Sequence, residues 1–390
     1  MKHRLLIPPS AVSLLALLAI PIQTIAQEQH ETHHPQHYRV TDLGTLGGTS
    51  GLAYGINDRG RAAGTANLTA KGPLHAFISS REGLADLGTL GGLNSVADGP
   101  NAGDELAIYS ETSEPAYKDE DFCGFGNHLQ CLAAIWRQGK MTPLPTLPGG
   151  DSAQALALNN RGQLVGLAEK GTLEKPGYCA TPFQVLDFEP VIWGAKPDEI
   201  RELPPLPGDT VGVALAVNDK AQVVGTSGLC SNTTANGLVD GPHAVLWDAD
   251  GSVTDLGNLG GSIVNVAAGI NNLGEVVGGS LSSKDGNLHA FLWTKDTGMQ
   301  DLGLLGADVV TAPTWINNSG QAVGGSCPAT GNCRAFLWQD KVLIDLNTLI
   351  PADGPLYLLF AFAINDSGEI VGQAMTKSGE LHAFRASPSD

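Results

Sequence analysis

Four aspartates, Asp151, Asp209, Asp308 and Asp353, fall at the same place in successive stretches of this chain, just after a Leu/Pro/Gly-rich phrase. Carboxylates set in pairs around a pocket do two kinds of chemistry. They serve as acid and nucleophile or base in glycoside hydrolysis, or they supply hard oxygen ligands to calcium. Against both stands the ordinary use of Asp in tight turns, where its side chain bonds to nearby backbone. The N-D-x-G turns also lack the D-x-D-x-D-G series of a calcium loop. No G-x-S-x-G, phosphate loop, H-E-x-x-H or dinucleotide fingerprint occurs. The sequence therefore assigns no catalytic residue, no cofactor-binding residue and no metal ligand, and it implies no cofactor.

Six cysteines are the second chemical feature. Cys123 and Cys131 share one segment, Cys327 and Cys333 another, and Cys179 and Cys230 lie in neighbouring segments. A zinc site is the rival use, but no C-x-x-C is present, and in an exported chain disulfides are favoured. The expected pairs are Cys123–Cys131, Cys327–Cys333 and Cys179–Cys230, although six cysteines allow 15 connectivities. Four histidines, His75, His243, His289 and His382, open an H-A-F/V phrase. One per repeat sets them far apart, so they read as structural. His30, His33, His34 and His37 crowd a polar tract over residues 27–37, which reads as a disordered tail left by processing.

Residues 1–26 have the marks of a cleaved signal peptide. These are a basic start (Lys2, Arg4), an apolar run from Ala11 to Ile20, and small residues at Thr24 and Ala26. Pro8, Pro9, Pro21 and the short run argue against a spanning helix, which needs about 20 apolar residues. The expected product is secreted, extracellular or periplasmic, without membrane insertion, and monomeric. Forty acidic residues against 22 basic ones give a net charge of −18. Such a chain repels nucleic acid and anionic membrane surfaces.

The elements that must position these residues come from a repeat. Asp42–Gly48 and Asp86–Gly92 both read D-L-G-T-L-G-G, with looser versions at 143–150, 202–209, 255–261, 301–306 and 345–349. An Asn in a G-I-N-x-x-G-x-x-V-G phrase recurs at Asn57, Asn101, Asn159, Asn218, Asn271, Asn317 and Asn365, 44 to 59 residues apart. That period signals a repeat architecture. Each unit carries short strand-like runs punctuated by Asn/Gly turns and has no room for a long helix. The expectation is an all-β, seven-bladed β-propeller of four-stranded antiparallel blades over residues 38–386, with 387–390 as a tail. A β-solenoid is the runner-up, but no end-capping unit is visible.

Small residues crowd the strand before each Asn, as in Ser152–Ala157 and Val211–Ala216, which places it innermost. Asp98 is the one charge on these inner strands. The chain ends at His382–Phe384 without the strand that follows this phrase elsewhere, and Tyr38–Leu43 is an isolated copy of it. The N-terminal strand is therefore expected to join the last blade and close the ring.

D-L-G-T-L-G-G, G-I-N-x-x-G-x-x-V-G and H-A-F-L-W together resemble the HAF-repeat family of extracellular bacterial proteins, over roughly residues 38–384. The resemblance departs most at Gly99–Asp104, where G-P-N-A-G-D replaces the turn phrase, and in the third and fourth openings, where Pro replaces Gly. It implies export and a repeat fold and carries no agreed activity.

The long segments between the third and fourth strand-like runs, 110–130, 170–188 and 227–242, share a face with the blade connections and hold or border four of the cysteines; Cys327 and Cys333 lie in the equivalent segment of the sixth unit. The functional expectation is a secreted, non-catalytic repeat protein that presents these braced loops to a protein or glycan. The alternative is a propeller glycoside hydrolase or lyase with carboxylates at the channel mouth.

Overall fold

In the computed structural model the described residues are 36–173, 184–194, 196, 198–232 and 241–389. The expected signal peptide, the tract 27–35 and Cys179 lie outside them.

Small and β-branched residues between Asn/Gly turns form short antiparallel strands, because they fit a pleated surface buried on both faces. The first blade shows the plan: Gly51–Ile56, Ala62–Asn67, Leu74–Ser80 and Gly83–Asp86 pair in that order. Six further four-stranded sheets repeat it. The fifth and sixth are joined by one parallel bridge between Leu288 and Val310. Innermost strands are Gly51–Ile56, Gly91–Pro100, Ala153–Leu158, Val211–Val217, Gly260–Ile270, Val310–Ile316 and Leu356–Ile364. Each touches its neighbours on both sides, and the seventh touches the first, so the sheets form a ring. Small side chains are required where seven strands converge. A Cβ added to Gly55 would lie 2.1 Å from the Gly99 Cα of the next blade.

The ring is closed by its ends. His37–Gly44 pairs antiparallel with Leu381–Ser389, placing Asp42 opposite Phe384 and Tyr38 opposite Pro388. The pairing runs further than the sequence suggested at both ends: residues 387–389 and His37, each read as part of a tail, belong to the strands, with His37 opposite Ser389. Beyond Ala386 this strand has a neighbour on one side only, so Pro388 can sit in it without breaking a second ladder. Tyr38 is buried, which pushes its phenol up to about 12.

Blades stack through the third strands. Phe77, Phe291, Phe336 and Phe384 are fully buried, each contributing about 1.5–3 kcal/mol of apolar burial. Trp193 and Trp247 are buried too, and their indole N–H groups donate to the carbonyls of Pro145 (2.9 Å) and Pro204 (2.7 Å). These are the openings in which proline replaces glycine.

Candidate functional site

Chain direction fixes two faces. Connections between blades and loops between second and third strands share one face, here the loop face. The Asn-Gly turns lie on the other.

On the turn face the seven repeated asparagines form a closed circuit. Each side-chain amide donates to the backbone carbonyl of the next: Asn57 to Asn101 (3.0 Å), Asn101 to Asn159 (3.3 Å), Asn159 to Asn218, Asn218 to Asn271, Asn271 to Asn317, Asn317 to Asn365 (each 3.0 Å). Asn365 then donates to Asn57 at 3.0 Å. Each Asn oxygen also accepts N–H groups two and four residues on, as Asn271 does from Leu273 and Glu275. The Asn is therefore chosen for its side-chain bonds. Positive φ falls on the residue three after the Asn, a glycine in five copies, as at Gly274 (φ 90°), and Asp104 and Ala221 in the second and fourth. The divergent second copy keeps the circuit through Asn101.

The following residues extend it. Backbone N–H groups of Ala102, Asn160, Asp219, Asn272, Asn318 and Asp366 donate to the next side-chain oxygen around the ring. Ala102 offers no such oxygen.

Three residues before each ring Asn, one side chain per blade enters the channel: Tyr54, Asp98, Leu156, Leu215, Ala268, Thr314 and Phe362. The cause is a β-bulge at this level. In six blades the residue itself is skipped by the ladder, as Tyr54 is between Ala53 and Gly55. A bulge turns its side chain out of the alternation. It also tilts a carbonyl towards the second strand, which explains the glycine of the V-V-G phrase. A Cβ on Gly64 would lie 2.0 Å from the Leu52 oxygen. In the second blade the skipped residue is Gly99, and Ile108 stands where the others have glycine.

With Val96, Tyr109 and Trp315, this layer bounds a cavity of ≈ 250 Å³. Tyr54 and Phe362 meet edge to face, with centroids 5.3 Å apart. Asp98 is its one carboxylate among the described residues. It accepts the Gly99 N–H at 2.7 Å. Burial pushes its pKa up to about 7, and the Gly99 bond only partly opposes this. Burial, then the Asp98 charge, pushes Tyr54 up to about 12. Tyr109 is raised by burial, by Tyr54 and by Asp98.

The four aspartates singled out from sequence line neither this cavity nor each other's surroundings. Asp151 accepts from the Tyr117 N–H (3.1 Å) and the Gln130 amide (3.3 Å). Asp209 accepts from Ser227 (2.7 Å) and pairs with His243 (2.9 Å). Asp308 is buried with Ser326 (2.6 Å) and Arg334 (2.8 Å). Asp353 is exposed. Among the described residues no three His, Cys, Asp or Glu side chains group as a metal site.

The strand-heading histidines meet carboxylates. His75 bonds Asp86 (2.8 Å), His289 bonds Asp301 (2.9 Å) and Asp285 (3.0 Å), and His382 bonds Asp42 (2.9 Å). The His of H-A-F thus answers the Asp of D-L-G in the same blade. Burial opposes charging His289, but Asp301 and Asp285 outweigh it and hold its pKa above the usual value. Sequence reading missed this pairing, although both partners recur together.

On the loop face, Cys123–Cys131 and Cys327–Cys333 are disulfides. Cys230 is buried, and its expected partner Cys179 lies outside the described residues. The first disulfide closes a loop that is anchored several ways. Phe122 is buried against Phe188 (6.3 Å), and the Phe122 carbonyl accepts from Gln154 (3.0 Å). Glu120 accepts the Val185 N–H (2.6 Å). Glu120 also faces Glu169, which accepts the Ser152 N–H (2.8 Å). Burial raises both carboxyls; the charge and hydrogen bond of Glu120 push Glu169 further, to about 10, whereas the hydrogen bond from Glu169 pulls Glu120 down, so the pair retains a proton at neutral pH. Phe125 of this loop stacks on Tyr109 of the channel wall, with centroids 6.1 Å apart.

No protein-family model matches the chain, and no curated protein matches it. Solved β-propellers do. The β-propeller domain of the Trilobed protease from Pyrococcus furiosus aligns with TM-score 0.48 and 11% identity, over 90% of this chain and 93% of that one. XC5397 from Xanthomonas campestris, a gluconolactonase, gives 0.41 and 9%, over 91% of each chain. Aleuria aurantia lectin gives 0.35 and 9%, over 88% and 93%. Function must therefore be argued from this chain's own residues. The described residues include no helix long and apolar enough to cross a membrane.

Proposed function

We propose that this chain is an exported, non-catalytic binding propeller of the HAF-repeat type, which engages a protein or glycan through its loop face. One observation carries the reading. Large apolar side chains exposed among the described residues gather on that face: Ile263 (68%), Leu173 (56%) and Leu93 (50%), with Tyr117 and Tyr357. Only Leu273 and Val342 lie on the turn face. Exposed apolar side chains concentrated on one side mark an interaction surface, and aromatic ones stack on sugar rings or partner side chains.

The bracing supports the same reading. A disulfide, a buried carboxyl pair and a buried Phe122 hold the Tyr117 loop before any partner arrives, which lowers the ordering cost of binding. The hydrolase alternative asks for two carboxylates about 5–10 Å apart around a pocket. Asp209 and Asp308 are instead bound to groups of their own surroundings, the channel layer holds Asp98 alone, and Glu120 and Glu169, with Asp151 acting on both, are hydrogen-bonded to each other and not spaced across a pocket.

A glycan array tests the proposal, run with the wild-type chain and a Tyr117→Ser/Ile263→Ser variant, with product release monitored on bound glycans. Retention that the double variant loses, without product, is expected. Turnover of a bound glycan, or retention indifferent to both residues, sinks the reading.

A further inference from the structure

We propose that the channel contains a binding site for a small organic cation with an alkylated ammonium head. The wall is divided by composition. Blades six, seven, one and two contribute Trp315, Phe362, Tyr54, Asp98 and Tyr109, whereas blades three to five contribute aliphatic side chains. One half of the channel is thus aromatic around a single carboxylate, and the other half is greasy.

A carboxylate partly withdrawn from water needs compensating partners, and half-buried Asp98 receives one bond among the described residues, from its neighbour's N–H. The pKa raised by burial expresses that deficit. A cation in the cavity removes it. Aromatic faces attract cations through their quadrupoles, most strongly where water is excluded.

The remaining wall decides which cation. A calcium ion asks for six to eight oxygens, and one carboxylate with two phenols cannot supply them. A primary ammonium is best held by three acceptors, and beside Asp98 the wall is mostly apolar, with Leu156, Leu215, Ala268, Trp315 and Phe362 offering it none. A methylated head needs few hydrogen bonds and presents apolar surface to Leu156 and Leu215. The cavity, ≈ 250 Å³, lies below the roughly 300–1,000 Å³ of drug-sized pockets and suits a compact head with a short tail. The site lies inside the ring and stands independently of the loop-face reading.

Calorimetric titration of the whole protein with choline and with its uncharged isostere 3,3-dimethylbutan-1-ol separates charge from shape. Choline is expected to bind the wild type at least about tenfold more tightly than the isostere, and Asp98→Asn to remove that advantage while leaving isostere binding within about twofold. A Tyr54→Leu variant, checked for a native melting transition, is expected to weaken choline at least about fivefold and gives a second readout should Asp98→Asn misfold. Equal binding of choline and isostere overturns the proposal. So does choline affinity untouched by Asp98→Asn, or no saturable choline binding up to ~50 mM.

Discussion

The side-chain amide of Asn365 donates to the backbone carbonyl of Asn57, 308 residues away along the chain, at 3.0 Å. This bond completes a circuit in which each blade holds the next by the same pair of groups. It joins the ends of the repeat array independently of the strand pairing at the termini.

The circuit should be costly to interrupt. Asn271→Ala removes two accepted N–H bonds and the donations to Glu275 and Asn317, leaving buried polar groups unpaired. A loss of about 2–4 kcal/mol is expected. Leu273→Ala, two residues on and exposed, should stay within about 0.5 kcal/mol. Chemical denaturation of both variants makes the comparison, and equal effects would refute it.

Closure by the first strand makes Tyr38 a core residue. Tyr38→Ala should cost about 3–5 kcal/mol, as other aromatic core truncations do. Asp42→Asn, which weakens the His382 pair on a partly exposed edge, should cost at most about 1 kcal/mol. Thermal melts resolve the two cases, and Tyr38→Ala melting like wild type would mean the strand is dispensable.

The two disulfides should be separable. Their short loops, 8 and 6 residues, each give about 2–3 kcal/mol on chain-entropy grounds. Paired Cys→Ser changes should lower stability similarly. Only Cys123→Ser/Cys131→Ser should alter near-ultraviolet dichroism from Tyr109, because Phe125 rides on that loop.

Asp98 should make stability fall as pH rises. Its folded pKa of about 7 lies above the ordinary value of 3.8 that it has in the unfolded chain. Below pH 3.8 both states are protonated and there is no penalty. Between the two values the unfolded chain has lost the proton and the folded chain keeps it, so stability drops, and the penalty is complete above about pH 7. Asp98→Asn should therefore match wild type at pH ~4 and exceed it by a few kcal/mol at most at pH ~8. A stability difference that stays flat with pH would exclude an ionising Asp98.

Much of this architecture is written locally. Strands, turns and small inner residues repeat in fixed order, so blade number, the innermost strand and closure by Tyr38–Leu43 can be read from spacing. The channel layer could not be read so directly. Alternation along Gly51–Ile56 does not say which side chain the bulge aims at the axis, and Tyr109 and Trp315 reach the cavity from positions with no repeated signature. Asp98 stood out as a lone inner-strand charge, but of its aromatic neighbours only Tyr109 shares its blade, and Tyr54, Phe362 and Trp315 come from three others. Asp151, Asp209 and Asp308 misled for the opposite reason. Equivalent positions in different blades look adjacent in an alignment of repeats, while in the ring each meets partners of its own.

The His37–Gly44 strand that pairs with Leu381–Ser389 is made before all seven of the inner strands around the ring. It must wait, unpartnered, while every later blade is made. No partial product has a finished ring, so a ribosome stalled anywhere before Phe384 leaves an open edge at both ends. Assembly is thereby tied to synthesis of the Leu381–Ser389 strand, and a chain cut short before it announces itself by an unsealed sheet.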